Sequence, residues 1–218
     1  MLRRLASRRR WAPIFSSESA LGLPALALTF DDGPAEWTTP ILDILSAQSA
    51  RATFFVLGAA VSGREDIVRR IVADGHELGN HTYSHHDPTG LSDDDLRTEL
   101  TRTAELITRV TSVAPALVRP PYCADAERVA RIAAGSGFGR TILRSIDPAD
   151  WKEPDGAVIA RRVLAQAVSG AIVCLHDGIA PRNRGAATRS QTVEAVALLV
   201  PALHERGFKL VTVSELLA

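Results

Sequence analysis

Two histidines stand four residues apart in the segment Asn80-His81-Thr82-Tyr83-Ser84-His85-His86. Imidazoles at positions i and i+4 lie on the same side of a helical turn, so we predict that His81 and His85 bind one metal ion from a turn of helix. A carboxylate from elsewhere would complete a face of two histidines and one aspartate. Such a face leaves positions open for water and substrate, which is typical of a catalytic metal site.

Adjacent carboxylates are the second candidate for chemistry, in the segment Thr29-Phe30-Asp31-Asp32-Gly33-Pro34. Two neighbouring carboxylates are not both comfortably ionised unless cations hold them. A metal ion on one and an arginine near the other would satisfy this requirement. Spacing alone leaves open which aspartate takes which partner, and a turn with two solvated acids is the alternative interpretation.

Short apolar segments alternate with amphipathic helical patterns, which predicts a β/α fold. The apolar segments predict strands at residues 25–30, 52–57, 77–79, 117–119, 141–146, 171–175 and 209–213. Polar residues follow several of these strands, namely Asp31, Asp32, His81, Arg119, Asp147 and His176. Because catalytic side chains gather at the carboxyl ends of barrel strands, we expect a barrel rather than an open doubly wound sheet.

Composition indicates an ordinary globular protein of 218 residues, a length that suits one domain. Lysine plus arginine (25) balances aspartate plus glutamate (25), so a zero net charge gives no support for a nucleic-acid partner. We assign residues 1–22 to a basic, poorly ordered N-terminal extension and residues 23–218 to the catalytic domain. The only cysteines, Cys123 and Cys174, are expected to be free buried thiols rather than a bridge.

The first ten residues are basic, but the apolar stretch Trp11–Phe15 that follows is too short for the core of a signal peptide. No stretch approaches membrane-spanning length, so we expect no membrane insertion. As written, the chain is expected to be cytoplasmic. A cell-envelope or secreted location is the alternative if the true start lies upstream.

Taken together, these segments resemble the polysaccharide deacetylase family, the NodB-homology domain of carbohydrate esterase family 4. The resemblance covers the chain from Ala25 to the C-terminus. It rests on five motifs in order, which are Thr29–Pro34, His81–His85, Arg119–Tyr122, Asp147–Trp151 and His176–Gly178. The resemblance implies a distorted (β/α) barrel with about seven strands, fewer than the eight of a standard barrel.

The resemblance also implies a role for each residue of the first three motifs. Asp32, His81 and His85 would bind one divalent metal ion, for which we expect Zn²⁺, with Co²⁺ and Ni²⁺ as alternatives. Asp31 would be the general base that takes a proton from the attacking water. Arg119 would pair with Asp31 and hold it ionised.

The remaining implied roles concern the leaving group and the acyl pocket. His176 would be the general acid that protonates the departing amine, with Asp150 tuning it. The backbone N–H of Tyr122 would stabilise the oxyanion, and Trp151 would contact the sugar or the acetyl group. Cys174 departs from the family pattern, since a leucine that lines the acetyl pocket usually stands two residues before the histidine. We therefore expect a roomier acyl pocket.

We interpret the chain as a metal-dependent hydrolase that removes N-acetyl groups from a GlcNAc-containing poly- or oligosaccharide, chitin-like or peptidoglycan-like, and releases acetate. Its partner would be that N-acetylated saccharide, and we expect a monomer. An O-acetyl esterase on a sugar such as xylan and a catalytically inactive carbohydrate-binding domain are the alternatives. A non-haem iron oxygenase shares the two-histidine, one-carboxylate set but fits the β/α alternation poorly.

Overall fold

Seven parallel strands form a single sheet in the computed structural model, which describes Ile14, residues 23–181 and residues 188–218. The strands are Ala25–Asp31 (β1), Ala52–Val56 (β2), Glu77–Asn80 (β3), Leu117–Val118 (β4), Arg140–Thr141 (β5), Ile172–His176 (β6) and Lys209–Leu210 (β7). Their order is β5-β4-β3-β2-β1-β6, and β7 pairs with the first residues of β1. The sheet is therefore built around β1, which has β2, β6 and β7 as parallel neighbours.

The sheet curls because the segment that contains β5 reaches both of its edges. Its start pairs with β4. Further along, the Ser145 N–H donates to the Ile172 carbonyl at 3.0 Å, and the Cys174 N–H donates to the Ile146 carbonyl at 2.9 Å. One stretch of chain thus joins β4 to β6, which confirms the predicted distorted barrel.

Two predicted strands are wrong in extent, whereas the other five agree to within one residue at each end. The predicted strand 141–146 is reduced to β5 because the chain must cross from β4 to β6 within it. The predicted strand 209–213 ends at Leu210, and Val213 instead begins the helix Val213–Leu216. Thr212 and Glu215 form a capping box at the start of that helix, which stops the strand.

Helices connect the strands and cover the outside of the barrel. They are Thr38–Ala47 (α1), Gly58–Val61 (α2), Glu65–Ala73 (α3), Asp93–Thr111 (α4), Ala126–Gly135 (α5), Gly156–Gln166 (α6), Ser190–Glu205 (α7) and Val213–Leu216 (α8). The longest, α4, begins after Ser92, whose side chain accepts from the Asp95 N–H and caps the helix. Within the described residues, no helix is both long enough and apolar enough to cross a membrane.

Alternate residues of β1 pack into two different cores, as the two-residue period of a strand requires. Leu26, Leu28 and Phe30 pack outward with the helices, and the Phe30 ring stacks on Phe54 of β2 at a centroid distance of 5.0 Å. The small residues Ala25 and Ala27 pack on the other face, with side chains from several strands. The inner face continues through Thr29 to Asp31, so this period carries Asp31 into the barrel.

The predicted N-terminal extension is described at Ile14 alone. The Ile14 N–H donates to the Thr141 carbonyl at 2.9 Å, and its carbonyl accepts from the Leu143 N–H at 2.6 Å. Its side chain packs against the inner core cluster. The rest of residues 1–22 lies outside the described residues, so their predicted lack of order stays a prediction.

Replacing Phe54 by alanine should lower the free energy of unfolding by about 3–5 kcal/mol, because the ring is fully buried and its loss leaves a cavity. Urea denaturation measures this change. The control is Leu198→Ala on α7, where a side chain 47% exposed should cost under about 0.5 kcal/mol. Equal losses for both variants would contradict the core assignment.

Candidate active site

A cavity of about 260 Å³ lies at the carboxyl ends of the strands and collects most of the predicted site residues. Those that line it are Asp31, Asp32, His81, His85, Tyr122, Trp151, Cys174 and His176. The other two, Arg119 and Asp150, are fully buried and hydrogen-bond to residues in the wall. Motifs far apart in sequence therefore meet at one site.

Asp32, His81 and His85 converge and are all buried. Asp32 Oδ1 lies 3.6 Å from His81 Nε2 and 3.2 Å from His85 Nε2, and one ligand atom of each residue lies within 4.8 Å of the others. Asp32 Oδ1 has no hydrogen-bond partner among the described residues, which is costly for a buried carboxylate oxygen unless a cation binds there. The donor set fits a divalent metal ion.

The two imidazoles are in forms suited to bind a metal. His81 Nδ1 lies 2.8 Å from the Arg119 carbonyl oxygen, so Nδ1 carries the proton and Nε2 presents its lone pair towards Asp32. Burial lowers the pKa of His85 to about 4. His85 is therefore neutral near pH 7, as a ligand must be.

The predicted helical turn around the two histidines is wrong, because the segment after β3 is a loop. Thr82 and His85 adopt positive φ angles of 71° and 59°. The imidazole rings still approach to a centroid distance of 5.1 Å, at an interplanar angle of 60°. Convergence is thus achieved by an irregular backbone and not by helical periodicity.

Glu99 on α4 holds this loop, and sequence reasoning missed it. Its Oε2 accepts from the Tyr83 and Ser84 N–H groups at 2.9 and 2.8 Å, and its Oε1 accepts from Ser84 Oγ at 2.9 Å. One carboxylate therefore accepts three hydrogen bonds from the part of the loop that directly precedes His85. In the sequence, Glu99 is one of several acids on an amphipathic helix, so no local signal marks it.

Asp31 is paired with a buried arginine. Arg119 Nη1 donates to Asp31 Oδ1 at 2.8 Å and to Thr29 Oγ1 at 2.7 Å, while Nη2 donates to the Leu143 carbonyl at 2.9 Å. Burial alone would raise the pKa of Asp31, but the Arg119 guanidinium lowers it to about 2. Asp31 therefore stays ionised and keeps Oδ2 free of the arginine.

Asp150 binds both the imidazole and the backbone N–H of His176. Asp150 Oδ1 lies 2.8 Å from His176 Nδ1, and Oδ2 accepts from the His176 N–H at 2.8 Å and from Thr192 Oγ1 at 2.7 Å. Burial alone would lower the pKa of His176, but the Asp150 carboxylate raises it to about 9. His176 is therefore protonated near pH 7 and can act as an acid.

Two aromatic side chains stand at the cavity rim. Tyr122 is 51% exposed and Trp151 is 50% exposed. Tyr122 has a φ of 58°, follows two prolines that carry no N–H, and places its ring edge-on to His85 at 4.7 Å. The rim thus presents two apolar rings above a polar floor.

Both cysteines are free and line the cavity. The buried Cys174 thiol donates to Asp31 Oδ2 at 3.4 Å. Cys123 is half-buried, and its Sγ accepts from Arg144 Nη1 at 2.6 Å, while Arg144 Nε lies 2.9 Å from Asp147 Oδ2. Sequence reasoning assigned no role to Arg144, which adds a partly exposed cation to the wall.

Two glycines of the motifs are required because the ends of β1 and β6 pass very close together. A Cβ on Gly33 would lie 2.3 Å from a carboxyl oxygen of Asp177, and a Cβ on Gly178 would lie 2.1 Å from the Asp32 carbonyl oxygen. Asp177 is fully buried and accepts from Thr38 Oγ1 at 2.6 Å, and burial raises its pKa to about 7. Asp177 is a second residue without a predicted role, and it packs against the turn that carries Asp32.

Comparison with known proteins gives one consistent result. Residues 20–139 match the family model described as polysaccharide deacetylase. A chitooligosaccharide deacetylase from Sinorhizobium fredii is 39% identical over 195 residues, which cover 87% of this chain and 90% of that protein.

Solved structures agree with the sequence matches. A peptidoglycan N-acetylglucosamine deacetylase in complex with 4-naphthalen-1-yl-N-oxidanyl-benzamide superposes with a TM-score of 0.84 at 32% identity, over 94% of this chain and 92% of that one. A CE4 family pseudoenzyme from Bacillus anthracis superposes with a TM-score of 0.83 at 31% identity, over 95% of this chain and 69% of that one. Active and inactive proteins thus share this fold, so activity depends on the residues of the site.

The Glu99→Gln variant should bind Zn²⁺ about 10–100-fold more weakly, because an amide oxygen cannot replace both carboxylate oxygens that hold the loop before His85. Competition with a chromogenic chelator measures the affinity, and circular dichroism checks the fold. The control is Glu105→Gln, which changes an exposed acid on the same helix and should leave the affinity unchanged. Unaltered binding in Glu99→Gln would show that the loop does not need the clamp.

Proposed function

The chain belongs to the polysaccharide deacetylase family, and we propose that it hydrolyses the N-acetyl amide of a saccharide that contains N-acetylglucosamine. One observation carries the proposal. Adjacent carboxylates have different partners, since Asp31 is paired with Arg119 while Asp32 faces two imidazole nitrogens. This arrangement separates a general base from a metal ligand in one cavity.

We propose Zn²⁺ as the metal ion on Asp32, His81 and His85, because imidazole and carboxylate ligands suit it, and Co²⁺ or Ni²⁺ would fit the same donors. When bound, the ion would polarise the acyl carbonyl and make water a better nucleophile. The remaining steps are carried out by residues of the chain itself.

Asp31 accepts the proton of the attacking water on Oδ2, since Oδ1 is held by Arg119. A base with a low pKa remains in its working form across a wide pH range, although its driving force for proton transfer is small. The backbone N–H of Tyr122 stabilises the oxyanion, a donor typically worth about 3 kcal/mol.

His176 completes the reaction as the acid. Its Nε2 proton goes to the leaving nitrogen as the C–N bond breaks, and the products are acetate and a free amine. Asp150 on Nδ1 balances the positive charge before the transfer and orients the ring. Trp151 and Tyr122 at the rim offer flat apolar surfaces for the faces of a sugar ring.

The substrate is tested by measuring acetate released by metal-loaded protein from N-acetylated chitooligosaccharides, peptidoglycan fragments and acetylated xylan. We expect acetate from an N-acetylated substrate. Release from xylan alone would support an O-acetyl esterase instead. No release from any substrate by correctly folded, metal-loaded protein would support an inactive binding domain.

Asp31→Asn should lower kcat by about 10²–10⁴-fold, because the base is lost, while the bound metal is retained. Metal content and acetate release are measured on the same sample. Near-normal turnover with metal bound would place the base elsewhere.

His176→Ala should impair hydrolysis of an N-acetyl amide more than hydrolysis of an activated acetyl ester, because a good leaving group needs little protonation. The ratio of the two rates in wild type and variant is the measurement. Equal losses on both substrates would argue against His176 as the acid.

Activity should fall as the pH rises through the pKa of His176, because the acid then loses its proton. Asp150→Asn removes the carboxylate that raises this pKa. The loss of activity on the alkaline side of the pH profile should therefore occur about one to three pH units lower. Profiles of kcat against pH for metal-saturated wild type and variant are compared. Asp147→Asn is the control, since Asp147 lines the cavity but pairs with Arg144, and the alkaline side of its profile should not move.

A further inference from the structure

A second group of metal-binding side chains lies in the same cavity, beside Asp32, His81 and His85. It consists of Asp31, Cys174 and His176, and one ligand atom of each lies within 4.8 Å of the others. The proposed reaction uses Asp31 and His176 for proton transfer and gives the Cys174 thiol no chemical role.

The atoms that a metal would need are not held by Arg119 or Asp150. Arg119 occupies Oδ1 of Asp31, which leaves Oδ2. Asp150 occupies Nδ1 of His176, which leaves Nε2. The Cys174 Sγ already points at Asp31 Oδ2.

The separation of two of these atoms suits a shared ion. Cys174 Sγ and Asp31 Oδ2 are 3.4 Å apart. A tetrahedral zinc with a Zn–S bond of about 2.3 Å and a Zn–O bond of about 2.1 Å would hold sulfur and oxygen about 3.6 Å apart. Little movement of these two side chains is therefore required.

We propose that Asp31, Cys174 and His176 form a second, inhibitory site for a thiophilic divalent cation such as Zn²⁺ or Cd²⁺. The thiolate sets this preference, because soft ligands select soft or borderline metals. The inhibitory effect rests on the proposed function, because an ion bound there would occupy the atoms through which Asp31 and His176 transfer protons.

The second site is weaker than the first. As the S–metal and N–metal bonds form, Sγ of Cys174 and Nε2 of His176 each lose a proton to solvent, and the hydrogen bond from Cys174 to Asp31 is broken. Binding at Asp32, His81 and His85 breaks no such hydrogen bond at Asp32, because Asp32 Oδ1 has no hydrogen-bond partner among the described residues. Inhibition therefore appears only when the metal exceeds one equivalent.

Cobalt titration tests the site without reference to activity. Apo protein receives Co²⁺ in steps, and the near-ultraviolet spectrum reports thiolate-to-cobalt charge transfer. The first equivalent should give no such band, because Asp32, His81 and His85 include no sulfur. Further Co²⁺ should produce the band in wild type and in Cys123→Ser, the matched control in which the cavity's other cysteine is changed.

The band should be lost in both Cys174→Ser and Cys174→Ala. Two substitutions are used so that the test still holds if one of the variants does not fold. Thermal unfolding confirms that each is folded. A band that persists without Cys174, or wild-type protein that shows no band beyond one equivalent, would overturn the proposed site.

Acetate release with one equivalent and with excess Zn²⁺ or Cd²⁺ tests inhibition. Wild type and Cys123→Ser should lose activity in excess metal, while Cys174→Ser should keep a larger fraction of its own one-equivalent rate. Equal fractional inhibition in all three would overturn the inhibitory role. The two proposals fail separately, because a cobalt–thiolate band without any acetate release refutes only the deacetylase, whereas acetate release without the band refutes only the second site.

Discussion

The buried guanidinium of Arg119 is the interaction on which the site depends. Its side chain donates to Asp31, and its backbone carbonyl accepts from His81, so one residue orients both the proposed base and a proposed metal ligand. A fully buried arginine is tolerated only when its charge is paired and its N–H groups are bonded. Asp31 pairs the charge, and Thr29 Oγ1 and the Leu143 carbonyl accept from Nη1 and Nη2, while Nε has no hydrogen-bond partner among the described residues and the Phe55 ring lies 4.1 Å from the guanidinium carbon.

Asp31 and Asp32 show how one backbone segment serves two purposes. The strand period directs Asp31 to the buried arginine, and a positive φ of 73° at Asp32 marks the turn that places this carboxylate between the imidazoles. The same crowding creates a vulnerability. The thiol at position 174 lies beside the proposed base Asp31 and the proposed acid His176, and this grouping is the basis of the proposed second metal site.

Several features followed from the sequence with a clear physical reason. Strands were found because apolar β-branched and aromatic runs are bounded by turn residues, and the barrel was favoured because polar residues followed so many strands. The turn at residues 81–85 was misjudged, since four-residue spacing also occurs in a loop held by distant contacts. The role of Glu99 could not be predicted from the sequence, because its three hydrogen bonds to a distant loop produce no recognisable pattern in the residues around it.

By itself, the sequence determined the residue types of the site and the alternation of strands and helices. The tertiary structure alone decided that His81 and His85 converge from a loop, that Glu99 binds that loop, and that the Cys174 thiol reaches Asp31. The reason is that local patterns record periodicity and propensity, which act over a few residues. Hydrogen bonds such as that from Cys174 to Asp31 join residues far apart in the chain, and only the closed barrel sets their distances.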